Sequence, residues 1–112
     1  MWTFTAYIIW KLCQAQGVDK IHYSELTHFI FDILWKRHKI VLNDSSKELE
    51  REIEYLKEIG AVDFNGYEIR IKDKLKGIVL LVEQSALKDQ LTLYREYLDK
   101  INQAVLQGNL QQ

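Results

Sequence analysis

The histidines are the first residues to test for chemistry, because histidine binds metals and transfers protons near neutral pH. His28 and Asp32 are four residues apart, so a helix would place them on one face, with His22 shortly before them. Together they could hold a metal ion, but the sequence has no HExxH motif and no Cys/His spacing of a zinc site. We therefore expect an ion pair or a partly buried histidine here, and neither a metal nor a cofactor.

Nucleophilic and phosphate-binding chemistry has no support in the sequence. The four serines lie outside any GxSxG motif, and no glycine-rich loop could cradle a phosphate. The single cysteine, Cys13, excludes an internal disulfide and a cysteine-rich zinc site. Glu48 with Arg51 and Glu54 with Lys57 have the spacing of ordinary ion pairs on a helix surface. The sequence therefore predicts that the protein is not an enzyme.

Positive charge is gathered in two clusters. The first basic cluster follows a predicted helix and consists of Lys36, Arg37, His38 and Lys39. Its cations either complement the helix dipole, by about 0.3–1 kcal/mol each, or bind phosphate groups. The second basic cluster follows a predicted hairpin and consists of Arg70, Lys72, Lys74 and Lys76. Residues 70, 72 and 74 alternate onto one face of an extended strand, where they either face a duplex or protect an edge strand from pairing.

Apolar spacing predicts two buried helices in the first part of the chain. The first covers residues 3–16, ends at Gly17, and has a core face of Trp2, Ala6, Ile9 and Cys13. A short extended segment over residues 20–22 precedes a second helix over residues 24–37. The apolar stripe of that second helix consists of Leu26, Phe29, Ile30, Ile33 and Leu34.

A capping box marks the start of a third helix at Ser46. We expect the Ser45 hydroxyl to bind the Glu48 amide while the Glu48 side chain returns to the Ser45 amide. Gly60 supplies the left-handed residue that ends this helix. Apolar and polar residues then alternate on either side of residues 65–66, an Asn-Gly pair that favours positive φ at both positions and predicts a tight two-stranded hairpin.

From Asp73 to about Leu106 the pattern is helical again, with Gly77 as a weak point. Residues 78–82 are apolar all round, so they either pack onto the domain or form a strand. Farther on, apolar residues are spaced four and three apart, which is typical of a coiled-coil seam. The seam consists of Leu87, Leu91, Tyr94, Leu98, Ile101 and Val105. We expect it to pair two copies of the chain; the alternative is that the last helix folds back on its own domain.

Length and composition fit one small domain, with 112 residues of which 47% are apolar and 28% charged. The formal charge is -1, so any contact with nucleic acid must come from a local patch. A single cysteine fits a reducing, cytoplasmic setting. The first residues have no basic lead, and the longest aliphatic run, residues 78–82, is far too short to span a bilayer. We therefore expect neither secretion nor membrane insertion.

The order helix, short strand, helix, capped helix and hairpin over residues 3–72 resembles the winged helix-turn-helix superfamily. Residues 56–62, Leu-Lys-Glu-Ile-Gly-Ala-Val, resemble the end of the recognition helix and the start of the wing in archaeal and bacterial transcription regulators. The C-terminal seam is similar to the dimerisation helix of archaeal winged-helix dimers. The resemblance implies an α+β, mostly α fold, with a winged-helix domain over residues 1–76 and a long C-terminal coiled-coil helix over residues 77–112, in one structural domain overall.

The resemblance implies a homodimeric transcriptional regulator that binds double-stranded DNA. In that family the third helix enters the major groove and the wing touches the flanking phosphates. The implied contacts are the two basic clusters with Ser46, Lys47, Glu50, Arg51, Glu54, Asn65 and Gly66. However, the third helix carries three cations against five glutamates, a net charge of -2. The alternative hypothesis is a protein-interaction module that docks through this acidic helix.

Overall fold

The computed structural model of the protein describes residues 2–88 and 93–110, without the side chains of residues 93, 94, 109 and 110. This part of the chain forms five α-helices, one π-helical segment and a three-stranded antiparallel sheet. In chain order the elements are α1 (Trp2–Gln16), β1 (Lys20–His22), α2 (Tyr23–Thr27), the π segment (His28–Arg37), α3 (Ser46–Glu58), β2 (Val62–Phe64), β3 (Glu68–Ile71), α4 (Asp73–Lys88) and α5 (Leu93–Leu110). The mostly helical α+β class that the sequence predicts is confirmed.

Helix α1 lies at the centre of the core. Residues 4–9 are all buried, because α3, α4 and α5 pack around this helix instead of against a single face. Ala6, Ile9 and Cys13 are buried as the apolar spacing predicts, whereas Trp2 lies at the exposed end of the helix. A helix that is apolar on all sides is stable only when other elements cover all of its sides. The C-terminal helices α4 and α5 provide part of this cover for α1.

The second predicted helix forms, but most of it has π-helical geometry. In such a helix each backbone N–H bonds to the carbonyl five residues earlier, which widens the turn. At its C-terminal end the His38 N–H lies 3.2 Å from the carbonyl oxygens of both Ile33 and Leu34. Because the wider turn changes which residues share a face, Ile33 is only half-buried, while the rest of the predicted stripe is buried.

Helix α3 begins and ends where the sequence predicts. The Ser45 hydroxyl accepts a hydrogen bond from the Glu48 amide at 3.3 Å. The second half of the predicted capping box is wrong, because the Glu48 carboxylate accepts from the Asp44 amide at 2.9 Å instead of from Ser45. After the helix, Gly60 has a φ of 83°, a left-handed conformation that glycine adopts without steric cost.

The hairpin forms, but its turn lies one residue later than predicted. Asn65 and Glu68 face each other, since the Asn65 N–H donates to the Glu68 carbonyl, and this leaves Gly66 and Tyr67 as the turn residues. Gly66 has a φ of 95° and Asn65 does not have a positive φ, a pattern typical of a type II′ turn. The Asn65 Oδ1 accepts from the Tyr67 and Glu68 amides, which holds Asn65 before the turn.

The predicted extended segment over residues 20–22 is β1, and it completes the sheet. Strand β3 lies between β1 and β2. Ile69 of β3 is paired with Ile21 of β1 on one side and with Phe64 of β2 on the other. These three side chains are buried in the core. The opposite face of the sheet is exposed, with Arg70 between Lys20 and Asp63.

The C-terminal region is two helices and not one long helix. Helix α4 begins at Asp73, runs past the predicted boundary at residue 76, and includes residues 78–82, so these residues are not a strand. Helix α5 contacts α1, α4 and the π segment. The Asn102 amide also donates to the buried Tyr7 hydroxyl at 2.8 Å. The last helix therefore folds back on its own domain.

This packing uses residues that the sequence assigns to a dimer seam. Leu98, Ile101 and Val105 are buried within the protomer. Helix α5, which carries them, packs against α1 on a side that the other helices do not cover. Leu87 is exposed, Leu91 lies outside the described residues, and the side chain of Tyr94 is not described. A four-three spacing fits packing within a chain as well as packing between chains.

Candidate nucleic-acid interface

Helix α3 presents a charged outer face on the surface of the molecule. Its apolar residues Leu49, Ile53 and Leu56 are buried and fix the orientation of the helix. The exposed charged residues on the opposite side are Lys47, Glu50, Arg51, Glu54, Lys57 and Glu58. Five of them, with Tyr55, line an open groove of about 430 Å³ along the helix. The residues that the sequence assigns to base contacts therefore share one accessible surface.

The net charge of this outer face differs from that of the whole helix. Glu48 caps the chain entering α3, and the Glu52 carboxylate accepts from the Thr5 hydroxyl at 2.6 Å and from the Asn43 amide at 2.8 Å. Both carboxylates are therefore hydrogen-bonded and only partly exposed, and the fully exposed charges of the outer face are three cations and three glutamates. At its N-terminal half, Lys47 and Arg51 outweigh Glu50 by one charge.

A small polar cluster of Thr5, Asn43 and Glu52 joins the connection before α3 to the core helix α1. Thr5 is fully buried and Asn43 nearly so, and both bond to the same Glu52 oxygen. The Asn43 Oδ1 has no hydrogen-bond partner within the described part of the chain. The sequence gives no sign of this cluster, because its members are 47 and 9 residues apart along the chain. It holds α3 at a fixed angle to α1.

The second basic cluster is not an extended row of free cations. Arg70 forms an ion pair with Asp19 at 2.8 Å, and Lys72 lies 3.8 Å from Asp63. Strand β3 ends at Ile71, so the prediction that residue 74 continues the strand face is wrong. Lys74 lies in the first turn of α4, and its Nζ donates to the carbonyl after α3, that of Ile59, at 2.7 Å. Lys76 is exposed on α4.

Arg70 lies in a groove where the sheet, the hairpin and the end of α3 meet. The groove has a volume of about 230 Å³. Its polar lining consists of Lys20, Lys57, Asp63, Asn65, Glu68 and Arg70. The structure thus brings Asn65 and Arg70 together, as the proposed DNA contacts require, and adds Lys20 and Lys57. Helical spacing predicts that Lys57 is exposed but not that it lies in this groove, since it is six residues after Arg51, and Lys20 reaches the groove only through strand pairing.

The first basic cluster begins at the end of the π segment, away from the residues that line this groove. Lys36 forms an ion pair with Asp32 at 3.2 Å, and His28 Nδ1 lies 2.9 Å from the same carboxylate. The hydrogen bonds from His28 and then from Lys36 lower the pKa of Asp32. The expected histidine ion pair is confirmed. Arg37 and Lys39 are exposed, and His38 is half-buried.

His22 lies apart from the other two groups that the sequence offers as metal ligands. Its Nδ1 accepts from the Ser24 amide at 3.1 Å and caps α2. Within residues 2–88 and 93–110, no three His, Cys, Asp or Glu side chains are grouped to hold a metal ion. No helix of the same residues has the length and apolar character needed to cross a membrane.

An exposed aromatic pair borders the N-terminal half of α3. The rings of Trp2 and Tyr55 meet edge to face with centroids 5.2 Å apart. Both rings line a shallow groove with Arg51, Glu48 and Glu52. Trp2 is expected in the core from its helical spacing, but α1 begins at this residue and its ring reaches the surface beside α3.

We compared the chain with known proteins at three levels. It matches no protein-family model, no curated protein and no solved structure.

Proposed function

We propose that the protein binds double-stranded DNA as a winged-helix protein and acts as a homodimeric transcriptional regulator. The order of its elements supports this proposal: a helix, a strand, two helical elements and a hairpin, with β1 and β2 on either side of β3. In a helix-turn-helix protein the later helix lies in the major groove and the earlier one crosses the backbone. Here α3 is the helix with an accessible polar face next to a hairpin.

The observation that carries the proposal is the charge at the start of α3. Lys47 and Arg51 are exposed there beside Glu50, while Glu48 and Glu52 are only partly exposed, with their carboxylates hydrogen-bonded to the Asp44 amide and to Thr5 and Asn43. The N-terminus of a helix also carries a partial positive charge from the aligned peptide dipoles. This end of α3 is therefore the part of the helix best suited to meet a phosphate backbone.

The groove beside α3 gives a second set of contacts. Its lining has Lys20, Lys57 and Arg70 with Asp63 and Glu68. Because Arg70 is paired with Asp19 and Lys20 with Glu68, Lys57 is the lining cation best placed to contact a phosphate. In the proposed complex Arg51 reads a guanine edge, for which its fork of donors is suited, and Lys47 binds a phosphate. The groove with Asn65 then contacts the flanking backbone. Two copies would reach half-sites about 34 Å apart or a multiple of that spacing.

Fluorescence anisotropy of a labelled random duplex tests the proposal at about 50 and 200 mM salt. We expect binding that falls steeply with salt, and Lys47→Ala should lower the salt slope by about one. Lys100→Ala, an exposed lysine of α5, is the matched control and should leave the slope unchanged. Absence of binding at the lower salt, or an equal effect of both variants, would refute the proposal.

A second candidate function, docking of a partner protein on α3, is favoured by the exposed Trp2–Tyr55 pair. Tryptophan, tyrosine and arginine are enriched where partner proteins bind most strongly. Here Trp2, Tyr55 and Arg51 line the same shallow groove. If this candidate holds, combined Trp2→Ala and Tyr55→Ala substitutions remove a captured partner protein in a pull-down. The same substitutions leave duplex affinity unchanged. Duplex binding without any captured partner would decide against it.

A further inference from the structure

The outer face of α4 carries several large apolar side chains that are exposed to solvent. Val79 and Val82 face the core, but Leu80 and Leu81 between them are 49% and 64% exposed, and Leu87 is 73% exposed. Residues 78–82 are therefore apolar on the inner and on the outer side of the helix. A helix that is apolar all round is normally buried on both sides.

The fully exposed positions between these leucines are uncharged, and the charged residues Lys76 and Glu83 border them on one side, Glu83 being half-buried. Gly77, Gln84 and Ser85 complete the exposed side of α4 from residue 77 to residue 87. Single exposed apolar residues are common, but a stripe of three exposed leucines with uncharged residues between them is typical of an interaction surface. We call this stripe the α4 face.

Gly77 is a second, independent observation on the α4 face. Glycine inside a helix is less stable than alanine by about 1 kcal/mol. Gly77 has ordinary helical φ, and a Cβ atom added to it would meet nothing within 4 Å. Nothing in the part of the chain that the structure describes therefore requires glycine here. A residue without a side chain at the N-terminal end of an apolar helix face lets a second helix approach closely there.

The charges at the two ends of the α4 face indicate what covers it. Asp73, Gly77, Leu80, Gln84 and Leu87 are spaced four, three, four and three apart, so Asp73 lies in line with the stripe at its N-terminal end. Lys88 lies at the C-terminal end. Two α4 helices paired antiparallel around an axis between residues 80 and 81 place Asp73 of each copy opposite Lys88 of the other, since the two residues are equally far from the axis along the helix.

We propose that the α4 face binds the α4 face of a second copy of the chain, with the two helices antiparallel. The symmetric pairing forms the Asp73–Lys88 ion pair twice, buries the exposed leucines of both copies, and opposes the two helix dipoles. A parallel pairing would bring like charges together at both ends. The inference names the interface of the homodimer and rests on the proposed function for that assembly, but it is tested without DNA.

Sedimentation equilibrium of the full chain, over about 1–200 µM and without DNA, measures the pairing. We expect a dimer for the wild type and a dissociation constant raised roughly tenfold or more by Leu81→Glu, which puts charge at the centre of the interface. The matched control is Leu106→Glu on α5, because Leu106 is 61% exposed against 64% for Leu81. The control should leave the dimer unchanged.

A charge exchange tests the antiparallel arrangement. Asp73→Lys and Lys88→Asp should each weaken the dimer, and the double variant should restore it. Three results would overturn the inference. The wild type stays monomeric, Leu81→Glu and Leu106→Glu have equal effects on the dimer, or the double variant forms a weaker dimer than either single variant. A dimer that Leu81→Glu dissociates but that binds no duplex would leave the pairing in place and refute only the DNA-binding proposal.

Discussion

Replacing Ile101 by alanine tests whether α5 belongs to the core of the protomer. Ile101 is 0% exposed in a single copy of the chain, and its neighbours Leu98, Ala104 and Val105 are buried with it. Helix α5 packs on α1 through these residues. If the packing is as described, the substitution opens a cavity inside each protomer.

The size of the effect follows from the atoms that are lost. Isoleucine has three more carbon groups than alanine, and each contributes about 0.8 kcal/mol when fully buried, or roughly 2.4 kcal/mol together. The cavity that remains adds to this, so we expect a loss of about 3 kcal/mol in the free energy of unfolding. With a urea m-value of about 1.5 kcal/mol per M, the unfolding midpoint falls by about 2 M.

Leu106→Ala is the control for this experiment. Leu106 is on the same helix but exposed, so its truncation should change the free energy of unfolding by less than about 0.5 kcal/mol. Self-association, measured by sedimentation, should be the same for Ile101→Ala and the wild type. If Ile101→Ala lowers the free energy of unfolding by less than about 1 kcal/mol and also weakens self-association, the packing within the protomer is refuted. Ile101 would then pack between two copies of the chain.

Three further predictions concern pH, a helix end and a helix start. Burial, and to a lesser extent Asp19 and Glu25, raises the pKa of Cys13 from 9.0 to about 12. The neutral thiol therefore stabilises the fold fully below about pH 9, and this stability is lost as the pH rises toward 12, by about 1.4 kcal/mol per unit. Urea unfolding of Cys13→Ala between about pH 9 and 10.5 should show a shallower fall than the wild type; identical slopes would contradict the assignment. Gly60→Ala should lower the free energy of unfolding by about 1 kcal/mol in thermal denaturation, because φ at Gly60 is 83°, whereas Gly108→Ala in α5 should cause no loss. Ser45→Ala should cost about 1 kcal/mol through loss of the cap on α3, and an equal cost for Ser46→Ala would show that the cap is not responsible.

The exposed residues of α3 could be predicted from the sequence, since helical spacing separates Lys47 and Arg51 from the buried leucines. The rest of the candidate site could not. Lys20 reaches the groove only because β1 pairs with β3, and Asp19 neutralises Arg70 across 51 residues of chain. The inward orientation of Glu52 likewise depends on Thr5, which is 47 residues away. The sequence of α3 therefore has a net charge of -2, whereas its fully exposed residues are three cations and three glutamates.

The sequence by itself determined where α3 starts and stops and, to within one residue, where the hairpin turn lies, because a capping serine and glycines with positive φ act within a few residues. It also determined that residues 73–106 are largely helical and have apolar faces. Only the tertiary structure decided what covers those faces. Apolar spacing specifies that a helix side must be buried, whereas the partner depends on which surfaces the other helices leave open. Helix α1 needs cover on all sides, so Leu98, Ile101 and Val105 pack on it, and the leucines of α4 remain on the surface.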